Sequence, residues 1–516
     1  YNTAMGRDAG RLITTGSNNV CIGNNAGDAS NTNFVIAMGS FAASTCSVDG
    51  AVAIGHFAAR SLTTGAKTTA IGYYALDQCQ GGQNNTALGY EALKSIQNDG
   101  HHNTAIGADV MRSATSARSN TGVGDGAMYA LTGGDQNCVM GHNAMYNATT
   151  ATQNTVIGGG AVGSNVAAGF NITTGNQNTL VGASAGTSIT TASYNTAIGY
   201  QAGYSDSTAS QNTFIGYRAG KASNASDVTY IGFDSGLHAT GSSNTCVGHR
   251  TMDQSSCTGA QNTAVGREGL GGLTSGDRNT TVGYFAGHDI TTASDNTAIG
   301  SGCLDSCSTG AENTVIGASA GNDITTGSEN VIVGTRAGGY STVLTTGSRN
   351  ILIGRDAYTT SGGAQHQIVL GTYQVQGIGN RTFYVNSDGG ASYNGGNTTA
   401  WNTTSDRRIK KNIVDNNVGL EKINQIQVRN FEYRTKEEIL EAAPELSECV
   451  EAACKYHKDK GVQLGVIAQE VQDILPSIVK EESTGVLGVC ADEITWHLVN
   501  AVKELSAKVE ELERRQ

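Results

Sequence analysis

The chain has 516 residues, 44 Asp and Glu against 32 Lys and Arg, a net charge of −12, and only 15% charged residues. So few charges exclude disorder driven by self-repulsion, and the acidic balance excludes a nucleic-acid-binding surface. No apolar run approaches the 18 or more residues of a membrane span, and no basic-then-apolar leader stands at Tyr1, although a segment preceding Tyr1 is left open.

From its first residues the chain repeats itself. The recurring phrase is Asn-Thr-x-Φ-Gly-x-x-Ala-Gly, with Φ aliphatic or Met, as in Asn195-Thr196-Ala197-Ile198-Gly199-Tyr200-Gln201-Ala202-Gly203. Its key glycine occurs 22 times between Gly6 and Gly371, at a mean step of roughly 17 residues. Ile, Val, Leu or Met precedes all 22, and Asn stands four residues before 17 of them. This period is too short for two packed helices. It suits one coil of a β-solenoid or β-roll, with two short strands and two turns.

Each part of the phrase has a physical task. The aliphatic residue is expected to point inward and stack on its equivalents. The glycine permits a positive φ or a close backbone approach at a corner. The small Ala fits a thin interior, and Asn can bond neighbouring backbone and form a ladder. The repeat holds no proline, which fits continuous bonding between coils, since each proline would remove a donor. Coils about 4.8 Å apart would build a rod on the order of 100 Å long. Copies at Gly39, Gly55, Gly72 and Gly232 lack the Asn, and the step from Gly158 to Gly182 is 24 residues. Bulges or a loop are expected there. The core of one such coil is thin, and several chains packed side by side would solve that. A monomeric solenoid stays open, because the sequence shows the period and not the chain number.

Other chemistry in this region is weak. Gly158-Gly159-Gly160-Ala161-Val162-Gly163 satisfies G-x-G-x-x-G, but no helix follows and the run lies inside a repeat copy. His101-His102 reads as a surface turn. The 11 cysteines, among them the close pairs Cys303/Cys307 and Cys449/Cys454, lack zinc spacing and read mostly as small buried apolar residues. No metal and no cofactor is expected.

Composition changes near residue 404. Residues 405–516 hold 37 of the 76 charged positions, both prolines (Pro444 and Pro476), and only five of the 70 glycines. The chain therefore divides into a repeat shaft (1–371), a connector with one strand at Phe383-Tyr384-Val385-Asn386 and a Gly- and Asn-rich linker (372–404), and a third segment (405–516). The last segment ends in a helix over about 493–514. Its Leu498, Val502, Leu505, Val509 and Leu512 fall at steps of 4, 3, 4 and 3, an a/d seam for trimerisation. An ordinary amphipathic helix packed on its own domain stays open.

The shaft resembles the head repeats of trimeric autotransporter adhesins and of some phage fibres, which implies a trimer of parallel β-rolls. The third segment resembles the intramolecular chaperone domain of endosialidase-type phage tailspikes. The start Ser405-Asp406-Arg407-Arg408-Ile409-Lys410-Lys411-Asn412-Ile413, the phrase Gly465-Val466-Ile467-Ala468-Gln469-Glu470-Val471 and the closing helix carry that resemblance. The fold so implied is mainly β: a trimeric parallel β-roll of about 22 coils, then a small α+β chaperone domain ending in a coiled-coil helix.

The chaperone resemblance further implies single-turnover self-cleavage between Thr404 and Ser405. Ser405 would be the nucleophile and Lys410 the base, with Asp406, Arg408 and Asn412 as supporting motif residues. A lysine accepts a proton only when neutral, so its pKa must fall from about 10.4; burial and the cations Arg407, Arg408 and Lys411 act in that direction. A removable C-terminal clamp answers a problem of the shaft, whose near-identical coils invite register errors and whose non-local pairing is slow.

Together the resemblances imply a homotrimeric phage tail fibre for host-surface attachment, carried on the virion and assembled in host cytoplasm. Its partners would be a host glycan or protein receptor and other virion tail proteins. Two readings remain beside it: a bacterial cell-surface trimeric adhesin using the same chaperone, and a glycan-depolymerase tailspike.

Overall fold

The computed structural model describes residues 1–28, 31–161, 166–339, 341–387, 390–395, 407, 411–444, 461–481 and 486–515. The chain divides into two compact units, Tyr1–Thr404 and Ser405–Gln516.

The first unit is a β-solenoid of about 22 turns. Twenty-three strands, most of three residues, run from Thr3–Met5 to Thr382–Ser387 and pair in parallel, each with the next along the chain. A further strand, Gly390–Gly395, returns antiparallel on Thr382–Ser387. Among the described residues each coil contributes one strand and not two; tight turns form the rest. The coils bond along the axis. Thr196 N–H donates to the Asn212 carbonyl at 2.8 Å, and Gly199 N–H to the Val181 carbonyl at 2.8 Å. Every such bond needs an N–H, which explains the absence of proline.

The turns rest on left-handed backbone. In the coil around Gly199, φ is 63° at Tyr194, 135° at Gly199, 53° at Gln201 and 57° at Gly203. The value at Gly199 lies where side chains are rarely found. A Cβ there would also strike the Gly216 carbonyl of the next coil. Both reasons expected for the key glycine therefore hold.

The direction of the aliphatic residue does not hold. In the strand Thr196–Ile198 it is Ala197 that is buried, whereas Ile198 is 38% exposed. The same alternation recurs at Ala105/Ile106, Val156/Ile157 and Ala298/Ile299. The interior is filled from two positions that trade volume. Leu180 reaches over Gly169 and Gly186, and Phe214 over Gly203 and Gly220. Conversely, Met111 and Met128 close over Gly122. A narrow core packed to crystal-like density has no room for a large residue at both positions.

The Asn residues form the expected ladder. Buried Asn279 donates its N–H at 2.8 Å and its Nδ2 at 3.1 Å to Asn262 Oδ1, and Nδ2 also donates to the Ala293 carbonyl at 2.9 Å. The copies at Gly39, Gly55, Gly72 and Gly232 do not bulge: the strands stay in register from Val20 through Ile36 and Val52 to Thr69, and from Thr213 to Thr229. Inter-coil backbone bonds suffice to hold these coils. Register is also kept across the 24-residue step, Thr155 facing Thr179.

Seven of the described cysteines are buried and unpaired, and burial pushes the thiols of Cys303 to about 12 and Cys307 to about 11, so they act as core residues. His101 and His102 make inter-coil contacts, His101 Nδ1 accepting from the Gln83 N–H at 3.0 Å. Asp206 stands where most coils carry an apolar core residue: it is fully buried, and desolvation pushes its carboxyl up to about 7 against hydrogen bonds from Asn212 and Ala209.

The second unit is small. It holds helices α1 (Leu420–Ile423), α2 (Lys436–Ala442), α3 (Ala468–Gln472) and α4 (Ala491–Arg515), with two short antiparallel strand pairs. Its buried cluster among the described residues is Val471, Leu475 and Ile478.

Candidate functional site

Of the residues expected at the self-cleavage site, Thr404, Ser405, Asp406, Arg408 and Lys410 lie outside the described residues. Asn412 is described, exposed, with φ of 54°. The short polar side chain of Asn tolerates this left-handed turn. Downstream, Ile413 and Val414 are 56% and 85% exposed.

The segment that follows is held by α4. His497 Nδ1 donates to the Val418 carbonyl at 2.9 Å, Asn500 Nδ2 to the Asn416 carbonyl at 2.6 Å, and Glu504 accepts from the Leu420 N–H at 3.2 Å. Spacings of three and four put these residues on one helix face, which also carries buried Ala501. Sequence reading missed all three, because a helix face that satisfies backbone groups leaves no compositional mark. The Gly465–Val471 phrase plays a structural part: Gly465 pairs opposite Arg429, Glu470 accepts two bonds from the Arg429 guanidinium at 3.0 and 3.3 Å, and Val471 enters the core.

The a/d residues of α4 sit on another face. Leu498, Val502, Leu505, Val509 and Leu512 are between 45% and 64% exposed. The helix thus packs on its own domain through Ile494, His497 and Ala501 and leaves the Leu/Val seam open in the single chain.

The shaft has its own open stripe. The residue before the key glycine faces outward coil after coil: Leu88, Ile106, Met140, Ile157, Ile198, Val282, Ile299, Ile316 and Ile353 are 37% to 50% exposed. In-register pairing of the strands lines these side chains up along the axis.

Among the described residues no group of three or more His, Cys, Asp or Glu could hold a metal, and no helix is long and apolar enough to cross a membrane. No curated protein and no solved structure matches the chain. A family model described as chaperone of endosialidase matches residues 405–480, beginning at the serine of the motif. Behind a β-solenoid of about 22 turns, residues 405–480 are therefore similar to the chaperone-of-endosialidase family, a family of self-cleaving chaperone domains.

Proposed function

We propose that the chain is the protomer of a homotrimeric phage tail fibre that attaches to a host surface, assembled by a C-terminal chaperone that cuts itself away. The observation that carries this reading is the outward aliphatic stripe of the shaft. Covering each of these half-exposed side chains contributes roughly 0.5–1 kcal/mol. One coil gains little, but about 20 coils in line gain on the order of 10 kcal/mol or more per protomer. A stripe of one residue per coil is narrow enough to meet two copies of itself about a common axis. The open seam of α4 offers a second surface of the same kind.

In the cleavage step, Ser405 Oγ attacks the Thr404 carbonyl carbon while its proton passes to neutral Lys410 Nζ. The peptide C–N bond breaks, the acyl group moves to Oγ as an ester, and the Ser405 amine takes the proton. Water then hydrolyses the ester and releases the Thr404 carboxylate. Cleavage removes the nucleus for refolding, so the shaft would persist through a high unfolding barrier. Residence on the virion and contact with other tail proteins follow from the same reading.

Native mass measurement of the assembly tests both halves. Three copies of a 404-residue fragment with a separate 112-residue fragment are expected. A monomer refutes the trimer, and an assembled trimer of uncut wild-type chains refutes the protease.

A further inference from the structure

We infer that the shaft grips its second and third copies through two dry clasps, one on the coils keyed by Gly23, Gly39 and Gly55 and one on those keyed by Gly334, Gly354 and Gly371. The clasps bracket a centre that stays hydrated between the chains. This deepens the trimer reading above and rests on it.

The strand of each coil turns two side chains outward. One is the aliphatic residue before the key glycine, and the other stands two positions earlier. In the strand Thr196–Ile198 these are Ile198 and Thr196, with buried Ala197 between them. The earlier position forms a second column, which is Thr in 15 of the 22 coils, Cys138 in one and aliphatic in six. The six are not scattered. Val20, Ile36 and Val52 occupy three successive coils, Val331, Ile351 and Ile368 another three, and from Thr69 to Thr314 the column holds none. In-register pairing makes each run continuous: Ile36 faces both Val20 and Val52, and Ile351 faces both Val331 and Ile368. The second run extends into Phe383, opposite Ile368, and Val385, opposite Leu370. In the single chain these side chains are half-buried or exposed, Ile36 and Val331 at 37%.

A single chain gives no reason for this segregation. Thr, Val and Ile are all β-branched and suit a strand alike. Thr and Val also share a shape and differ by a hydroxyl against a methyl. That difference matters when water is removed. A methyl gains from a dry contact, whereas a hydroxyl without a partner loses the hydrogen bond that water gave it. Among the described residues no hydroxyl of a strand Thr in this column bonds within the chain. The occupant is a second copy of the chain, because both runs lie beside the aliphatic stripe proposed to meet itself about a common axis. Parallel copies in step bring each run against its own equivalent. No charged residue stands in either column, so no like charge opposes the contact. Position matters as well. A row at the end of a stack has one neighbour and frays first, and the second run occupies the C-terminal end of the solenoid.

Dissociation kinetics of the assembled full-length protein in denaturant test this, with native mass reporting chain number. Val331→Thr, Ile351→Thr and Ile368→Thr together should speed dissociation at least about tenfold, since each chain brings three hydroxyls into a dry contact. Val20→Thr, Ile36→Thr and Val52→Thr together should act alike. The reverse exchange in the centre, Thr196→Val with Thr213→Val and Thr229→Val, should change the rate by less than about threefold, because water is retained there. Where a triple variant does not assemble, Val331→Thr alone, which keeps the side-chain shape, should still speed dissociation. Clasp variants that dissociate at the wild-type rate overturn the proposal, and so does a central variant that slows dissociation about tenfold, which would make the centre equally dry. A wild-type trimer indifferent to the clasp variants condemns the clasps alone, whereas a monomeric wild type condemns the fibre reading and the clasps with it.

Discussion

The shaft and the C-terminal unit solve the problem of a thin core in opposite ways. The shaft satisfies its backbone by repetition, each coil bonding to the next and most buried Asn residues to the one before. Its leftovers include the outward aliphatic stripe. The C-terminal unit buries three residues in its described cluster and exposes Leu464, Trp496 and Val502 at 74%, 69% and 64%. A core that small contributes little net stability. The contrast teaches where assembly information sits. The shaft has a strong but repetitive surface, and repetition does not specify register. The C-terminal unit is non-repetitive. On the proposed reading, a clamp of the second kind would set the register of the first.

The largest expected effect breaks the link between the two regions. Ser405→Ala or Lys410→Ala should give one uncut 516-residue chain on denaturing gels, with the trimer unchanged by native mass. Fragments persisting in both variants would remove the dyad from the mechanism.

Next comes the stripe itself. Ile157→Asp with Ile299→Asp puts two carboxylates per chain into a face proposed to be dry, at a cost of several kcal/mol per ion. Monomers are expected by sedimentation. Leu505→Glu in α4 should impair assembly but leave a shaft already trimerised and cut as stable as wild type. Equal damage from both changes would erase the proposed division of labour.

The third effect is a pH dependence confined to one coil. The folded-state pKa of Asp206, about 7, lies above the usual carboxylate range because burial disfavours its charge. The folded state thus holds the proton longer than the unfolded chain, and stability falls as pH rises from about 4 to 7, then levels. The displacement corresponds to on the order of 4 kcal/mol. Amide protection factors across residues 203–212, taken relative to the intrinsic rate at each pH, should be lower at pH 8 than at pH 5, and Asp206→Asn should remove the difference. The C-terminal unit gives the control.

The smallest effect concerns the ladder. Asn279→Ala removes the partner of the buried Asn296 N–H and should cost about 1–3 kcal/mol. A lower melting temperature or faster unfolding of the shaft would register it, with no change in self-cleavage.

How much of this was legible varies residue by residue. The glycine period announced the solenoid because a positive φ and a carbonyl of the next coil leave no alternative at positions such as Gly199. Asn at a fixed offset announced the ladder. The orientation of Ile198 was not legible: the most hydrophobic member of the phrase looked like core, although a strand alternates and only one of two neighbours can face inward. The volume trade between Leu180 and Gly186, or Met128 and Gly122, was the available signal, and it becomes meaningful only once coils are stacked. In the C-terminal unit the Ser405–Ile413 phrase named the domain, while the grip of His497, Asn500 and Glu504 on residues 416–420 spans about 80 positions of sequence and carries no local pattern.

Sequence alone determined the repeat, its period and the kind of domain that follows it, because these depend on local backbone chemistry copied many times or on a short motif. Only the tertiary structure decided which side of each strand faces the interior, and hence which stripe is left outside. That choice depends on the width of the cavity between stacked coils, a quantity no single coil contains.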